Sequence, residues 1–213
     1  MLSTTPIDVG DLEQTHDSAI IYRGVFDDQL ETATTTDQYE IDIQPGQTLA
    51  AMLSTDDTQL GAELSLINDD GHAIGTPVSA NSDGMAVVLE TDALASGDTY
   101  IIQVTDTDNT IGSGTYSLEI ALNAHFEDET TSATDNNTQA NAQNIDNTAV
   151  ALSGNSDRLG ILGQGGDEDW FAFNLDTDQS ADLRLASLIS RGGGVPVGGF
   201  DEGPGPTLEL FDA

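Results

Sequence analysis

The chain has 213 residues, with 38 Asp+Glu against 4 Lys+Arg, and a net charge of −34. The cations are Arg23, Arg158, Arg184 and Arg191, and there is no Lys. No basic patch exists to release counterions from a phosphate backbone or to hold anionic lipid, so electrostatic binding to nucleic acid or to an anionic bilayer is excluded.

The apolar residues alternate in short runs. Tyr39, Ile41 and Ile43 alternate with Glu40 and Asp42 and predict a strand. Gln44-Pro45-Gly46-Gln47 follows, with Pro at the second and Gly at the third position of a type II turn. Leu49, Ala51 and Leu53 predict the next strand. Leu64 and Leu66 predict another, ending in the turn Asn68 to Gly71. Val87 and Leu89, then Tyr100, Ile102 and Val104, then Tyr116, Leu118, Ile120 and Leu122, continue the pattern. Asp106 to Gly114 between the last two reads as a polar hairpin loop, since it lacks the closing Glu of a calcium-binding loop. Apolar content of 37% with this charge is the composition of disorder, but the clean alternation predicts folded strands with one buried face. Such strands without helices predict an all-β chain of antiparallel β-sandwiches.

Residues 124–147 are polar and acidic, lack periodicity, and read as a linker. Beyond them the order of elements recurs. Asp37, Tyr39, Ile41, Ile43, Gln47 and Leu53 align without gaps to Asp169, Phe171, Phe173, Leu175, Gln179 and Leu185. Upstream, Tyr22 to Phe26 corresponds to Arg158 to Leu162, with Gly24 opposite Gly160. Downstream, Leu64 to Asp69 corresponds to Leu208 to Ala213. The expected organisation is a lead-in over 1–19, a first sandwich over 20–123, the linker over 124–147, and a second sandwich over 148–213 that lacks its last strands. The N-terminus has neither the basic nor the apolar region of a signal peptide, and the C-terminus stops within a strand-like alternation. The chain is therefore expected to be a segment of a longer protein.

These runs resemble the bacterial pre-peptidase C-terminal domain, a jelly-roll-like β-sandwich. The resemblance rests on Asp167 to Leu175 (DEDWFAFNL) with Pro206 to Ala213, and on Thr36 to Leu49, Glu63 to Gly71, Asp98 to Val104 and Gly114 to Ile120. Asn136 to Asp146 is similar to that family's lead-in. Other β-sandwich repeats, such as those of adhesins, share the alternation. The resemblance implies tandem antiparallel jelly-roll-like sandwiches that catalyse nothing. It implies a secreted or cell-surface structural or adhesion module, or else a substrate-binding or targeting appendage of a secreted peptidase or other hydrolase. Implied partners are neighbouring domains of the same or identical chains, and extracellular polysaccharide or protein. It also implies calcium, held in the second copy by Asp135, Asn136, Asn137, Asp167 and Asp169. The first copy departs from this set, with Thr35 opposite Asp167 and only Asp37 retained.

Other chemistries find no support. His16, His72 and His125 lack zinc-binding spacing and read as exposed loop residues. No nucleophile elbow is present. The Gly-rich stretch Arg191 to Pro206 lacks the Lys-Ser/Thr of a phosphate loop and reads as a long loop between strands. Absent Cys excludes disulfides and thiolate metal sites, and no apolar run is long enough for membrane insertion. Zero Lys with excess Asp suits a marine or hypersaline setting, where salt screens self-repulsion.

Overall fold

The computed structural model describes residues 4–7, 12–14, 20–30, 36–55, 61–79, 86–107, 114–130, 135–152, 156–163 and 168–183. His16, Thr35, Asp167 and the Gly-rich stretch 191–206 lie outside the described residues, as do the positions aligned to Leu64–Asp69. The chain divides into two compact units, Met1–Asn174 and Leu175–Ala213.

Ten strands build a β-sandwich in the first unit: β1 (Thr4–Ile7), β2 (Glu13–Gln14), β3 (Tyr22–Leu30), β4 (Thr36–Ile43), β5 (Leu49–Thr55), β6 (Ala62–Asn68), β7 (Val78–Ser79), β8 (Val87–Glu90), β9 (Asp98–Asp106) and β10 (Gly114–Leu122). One sheet has the order β1-β4-β9-β6-β7 and the other β2-β3-β10-β5-β8. Pairing is antiparallel except for β1 on β4. From β3 onward the chain passes repeatedly between the sheets, the jelly-roll-like arrangement.

The alternation explains the layers. Tyr39, Ile41 and Ile43 of β4, Leu64 and Leu66 of β6, and Tyr100, Ile102 and Val104 of β9 face inward from one sheet. Leu49, Ala51 and Leu53 of β5, Val87 and Leu89 of β8, and Leu118, Ile120 and Leu122 of β10 meet them from the other. The intervening polar residues point to solvent, so the period of two gives each strand a buried face. Across the core the Tyr39 and Tyr116 hydroxyls lie 2.6 Å apart; Tyr39 donates to Asp28 and Tyr116 to Asp37. Burial, reinforced by these carboxylates, pushes both hydroxyls above the ordinary tyrosine range and keeps them protonated.

The turn Gln44 to Gln47 forms as predicted. Gln47 N donates to Gln44 O at 3.2 Å, and Gly46 has φ +84°. Residues 108–113 of the expected hairpin loop lie outside the described residues, but the strands that flank it are not a hairpin: β9 pairs with β4 and β6, and β10 with β3 and β5 in the other sheet. Alternation along two strands cannot distinguish such a pair from a hairpin.

The stretch read as a linker has structure of its own. Asn123, Ala124, His125, Phe126 and Glu127 are buried. His125–Phe126 forms β11, which pairs in parallel with the strand Ile161–Leu162. Phe126, Ala124 and Leu162 pack on Ala50 and Ala121, with Ile21, Met52 and Val88 around them. These alanines lie on the outward faces of β5 and β10, so this small cluster covers part of the sandwich's second side.

The remaining strands are β12 (Gln143–Asn144), β13 (Val150–Leu152), β14 (Ser156–Arg158), β15 (Ile161–Leu162) and β16 (Phe171–Ala172). Their pairing repeats that of the first copy. The lead-in strand β1 lies parallel to β4 with Thr5 opposite Tyr39, and β12 lies parallel to β16 with Gln143 opposite Phe171. β2 pairs antiparallel with β3, and β13 with β14. In the second unit, Gln179 N donates to Asp176 O at 3.1 Å and Asp178 has φ +70°, as at Gln44 to Gln47. In both turns the Gln side chain closes the ring: Gln47 Oε1 accepts from Gln44 N at 2.8 Å and Gln179 Oε1 from Asp176 N at 2.7 Å. Phe171 is 37% exposed where Tyr39 is 3%. Tyr39 is covered by Tyr116 and packs beside Phe26, with ring centroids 6.2 Å apart; among the described residues Phe171 has no such cover.

Candidate functional site

The lead-in of the second copy and the entrance to β16 meet through backbone hydrogen bonds. Trp170 N donates to Asn136 O at 2.9 Å, and Gln143 N donates to Trp170 O at 2.9 Å. The Gln143 side chain ties this pair to the preceding segment, donating to Phe126 O and accepting from Asp128 N, both at 3.1 Å. Asp169 is thereby placed one residue from the bond that fixes Asn136.

The side-chain amides here have a defined orientation. Asn136 Nδ2 donates to Glu127 Oε1 at 3.2 Å, and Asn137 Nδ2 donates to Glu129 Oε1 at 2.8 Å. Glu129 Oε1 also accepts from Asn136 N at 3.2 Å. With both amide nitrogens committed to carboxylates, each Oδ1 is turned away from them. Asn136 is 1% exposed, and the Oδ1 atoms of Asn136, Asn137 and Asp169 are shielded from solvent and meet no donor among the described residues. A buried acceptor left unsatisfied costs about 1–3 kcal/mol. Amide and carboxylate oxygens are the donor type that a hard cation takes.

Of the sequence-predicted set, Asn136, Asn137 and Asp169 contribute these oxygens. Asp135 is exposed and accepts weakly from Asn141 Nδ2 at 3.5 Å. Asp167 lies outside the described residues. Among the described residues no three His, Asp or Glu side chains gather as a metal-binding group; the shielded oxygens come from two amides and one carboxylate. Thr48 Oγ1 and Asn123 Oδ1 are likewise shielded and lack a partner, but sit before β5 and after β10. In the first copy Asp37, aligned to Asp169, accepts from Tyr116 at 2.7 Å, so that carboxylate is engaged in the core.

Sequence reasoning missed Glu127 and Glu129, which orient the amides. Glu127 is 2% exposed, and a Cβ at Gly163 would stand 2.7 Å from its Oε2. The small residue makes the room its carboxylate occupies. A Phe within so acidic a stretch was the available signal that the segment is buried. Trp170 is half-buried beside the lead-in and donates through Nε1 to Glu168 at 3.0 Å. His72 is exposed as expected, whereas His125 is buried against the sandwich.

Among the described residues no helix is long and apolar enough to cross a membrane. No family model and no curated protein matches the chain. Solved structures do. The pre-peptidase C-terminal domain of a collagenase from Bacillus anthracis is 16% identical, with 56% of this chain and 96% of that one covered and a TM-score of 0.41. The periplasmic g-type lysozyme inhibitor PliG of Aeromonas hydrophila is 19% identical over 57% of this chain and 96% of its own, with a TM-score of 0.40. The surface-associated copper-binding protein CorA of Methylomicrobium album BG8 is 9% identical over 56% and 97%, with a TM-score of 0.35.

Proposed function

We propose that the chain is a non-catalytic β-sandwich module of a larger extracellular or cell-surface repeat protein, stiffened by calcium at the start of its second copy. Asn136, Asn137 and Asp169 hold the ion, with Asp135 and Asp167 completing its oxygen shell. Glu127 and Glu129 orient the two amides from behind. The observation that carries this reading is the trio of shielded oxygens whose neighbouring amide nitrogens are already committed. Partners in this reading are neighbouring domains or extracellular polymer.

Calorimetric titration of Ca²⁺ into the chain tests it. At free Ca²⁺ ten times its dissociation constant, binding to the folded state adds about 1.4 kcal/mol, a rise of several degrees in Tm for a chain of this size. Asp169→Ala abolishes both the heat and the rise. Sodium chloride at matched ionic strength separates the effects: it screens the charge of −34 and raises Tm in wild type and variant alike. Absence of heat, or an equal rise in the variant, rejects the calcium reading.

A further inference from the structure

His125 is 2% exposed, and both ring nitrogens face acceptors. Nδ1 lies 3.3 Å from Glu90 Oε2, and Nε2 lies 3.1 Å from the Thr91 carbonyl oxygen. The other oxygen of Glu90 accepts from Phe126 N at 2.8 Å. The end of β8 therefore grips β11 through a ring and a backbone amide at once. On its other side β11 is held by backbone bonds, His125 N to Gly160 O and Glu127 N to Leu162 O, each 3.0 Å.

A neutral imidazole carries one N–H and donates to one acceptor; only the imidazolium donates to both. The groups around it favour that form. Glu90 faces it directly, and Asp92 adds its charge from the loop after β8. The carboxyl of Asp128 is set against Glu90, not against the ring. The packed strands β5 and β15 contain no titratable residue, and Glu127 is turned to Gly163 and Asn136.

We propose that His125 and Glu90 form a pH-sensitive fastener. It holds the first strand after the sandwich onto the outer face of β5 while the ring carries both protons, and releases it as the ring loses one. Burial by itself lowers the pKa of His125, but the hydrogen bond and charge of Glu90, the Thr91 carbonyl and the charge of Asp92 outweigh it, and the net shift is upward. The sign follows by linkage. A folded-state value raised above the unfolded one means the fastener's stabilisation is fully present below the unfolded value, about 6.5. It is lost as pH rises through the folded value. The junction leading into the second copy is thus stiff in mild acid and looser in alkali, independently of any metal.

The test uses the full chain, labelled for NMR, between pH 5 and 9. The ring signal of His125 is followed in the folded chain and in the chain unfolded in urea, together with amide exchange at Phe126 and Glu127, corrected for the intrinsic effect of pH. His125 is expected to titrate higher in the folded chain. As it does, protection at Phe126 falls severalfold, while Leu118 in the core keeps its protection. Glu90→Gln keeps an acceptor but removes the charge, and brings the His125 midpoint down. A wild-type midpoint at or below that of the unfolded chain, protection at Phe126 that ignores the titration, or an unmoved midpoint in Glu90→Gln would each overturn the proposal.

Discussion

Leu118→Ala is expected to destabilise the sandwich by about 3 kcal/mol, within the range of roughly 2–5 for buried leucines. Leu118 is fully buried at the middle of β10, between Leu53 of β5 and Phe26 of β3. Removing three carbons there forfeits their transfer from water and leaves a cavity, because backbone pairing on both sides prevents β10 from collapsing inward. Such a loss is a large share of the roughly 5–15 kcal/mol that holds a typical domain together. The outward-facing neighbour supplies the contrast. Val25 of β3 is 53% exposed, and Val25→Ala is expected to stay within about 0.5 kcal/mol. Urea unfolding followed by far-UV circular dichroism measures both. Equal effects would mean that the inward and outward faces of this sheet have been interchanged.

That contrast also shows why the first sandwich was legible from residues alone. A strand with one buried face writes its burial into every second position, and β4, β5, β6, β9 and β10 all do so. Which strands pair leaves no such mark. β9 and β10 follow one another with equal alternation, yet lie in different sheets. β1 and β12 have four and two residues and pair in parallel, too short for any period to register. Their equivalence emerges only when Thr5 is found opposite Tyr39 and Gln143 opposite Phe171. The shared Gln47 and Gln179 were visible as an identity, and the structure supplies the reason. Each side chain caps a turn whose third residue has positive φ.

The junction was misread for a chemical reason. Asn123 to Glu127 mixes polar and apolar side chains, and all five are buried. Polarity predicts exposure only when polar groups must find their partners in water. Here Asn123 Nδ2 donates to Ile20 O at 2.7 Å, His125 lies against Glu90 and Thr91, and Glu127 accepts from Asn136. None of these partners is near in sequence except Asn136. Of the candidate site, Asn136, Asn137 and Asp169 were reachable through family resemblance. Glu127 and Glu129 were two carboxylates among 38 acidic residues, with no spacing to single them out.

The paired glycines Gly24 and Gly160 are expected to respond differently to alanine. At Gly160 a Cβ would stand 2.8 Å from Asn123 O, 2.8 Å from Ile21 Cδ1 and 3.3 Å from Ala124 Cβ. The methyl of Ile21 can swing aside, but the carbonyl cannot. Asn123 holds φ +64°, with its N bonded to Thr48 O at 2.9 Å and its Nδ2 to Ile20 O. Relief must therefore come from Gly160, whose own N donates to Thr148 Oγ1 at 3.2 Å and whose O accepts from His125 N. Gly160→Ala is thus expected to cost about 2–3 kcal/mol, as overpacking against fixed atoms does, and to lower amide protection at His125 together with Tm. At Gly24 the tightest contact, 2.6 Å, is to Leu12 Cδ2, the end of a flexible side chain. Gly24 also sits within a strand, where alanine recovers roughly 0.5–1 kcal/mol of backbone entropy, so Gly24→Ala is expected to be near neutral. Thermal unfolding of the two variants side by side decides the matter. A neutral Gly160→Ala would show that the segment 123–127 shifts freely on the sandwich, and would remove the rigid seat on which both the proposed calcium site and the proposed His125 fastener depend.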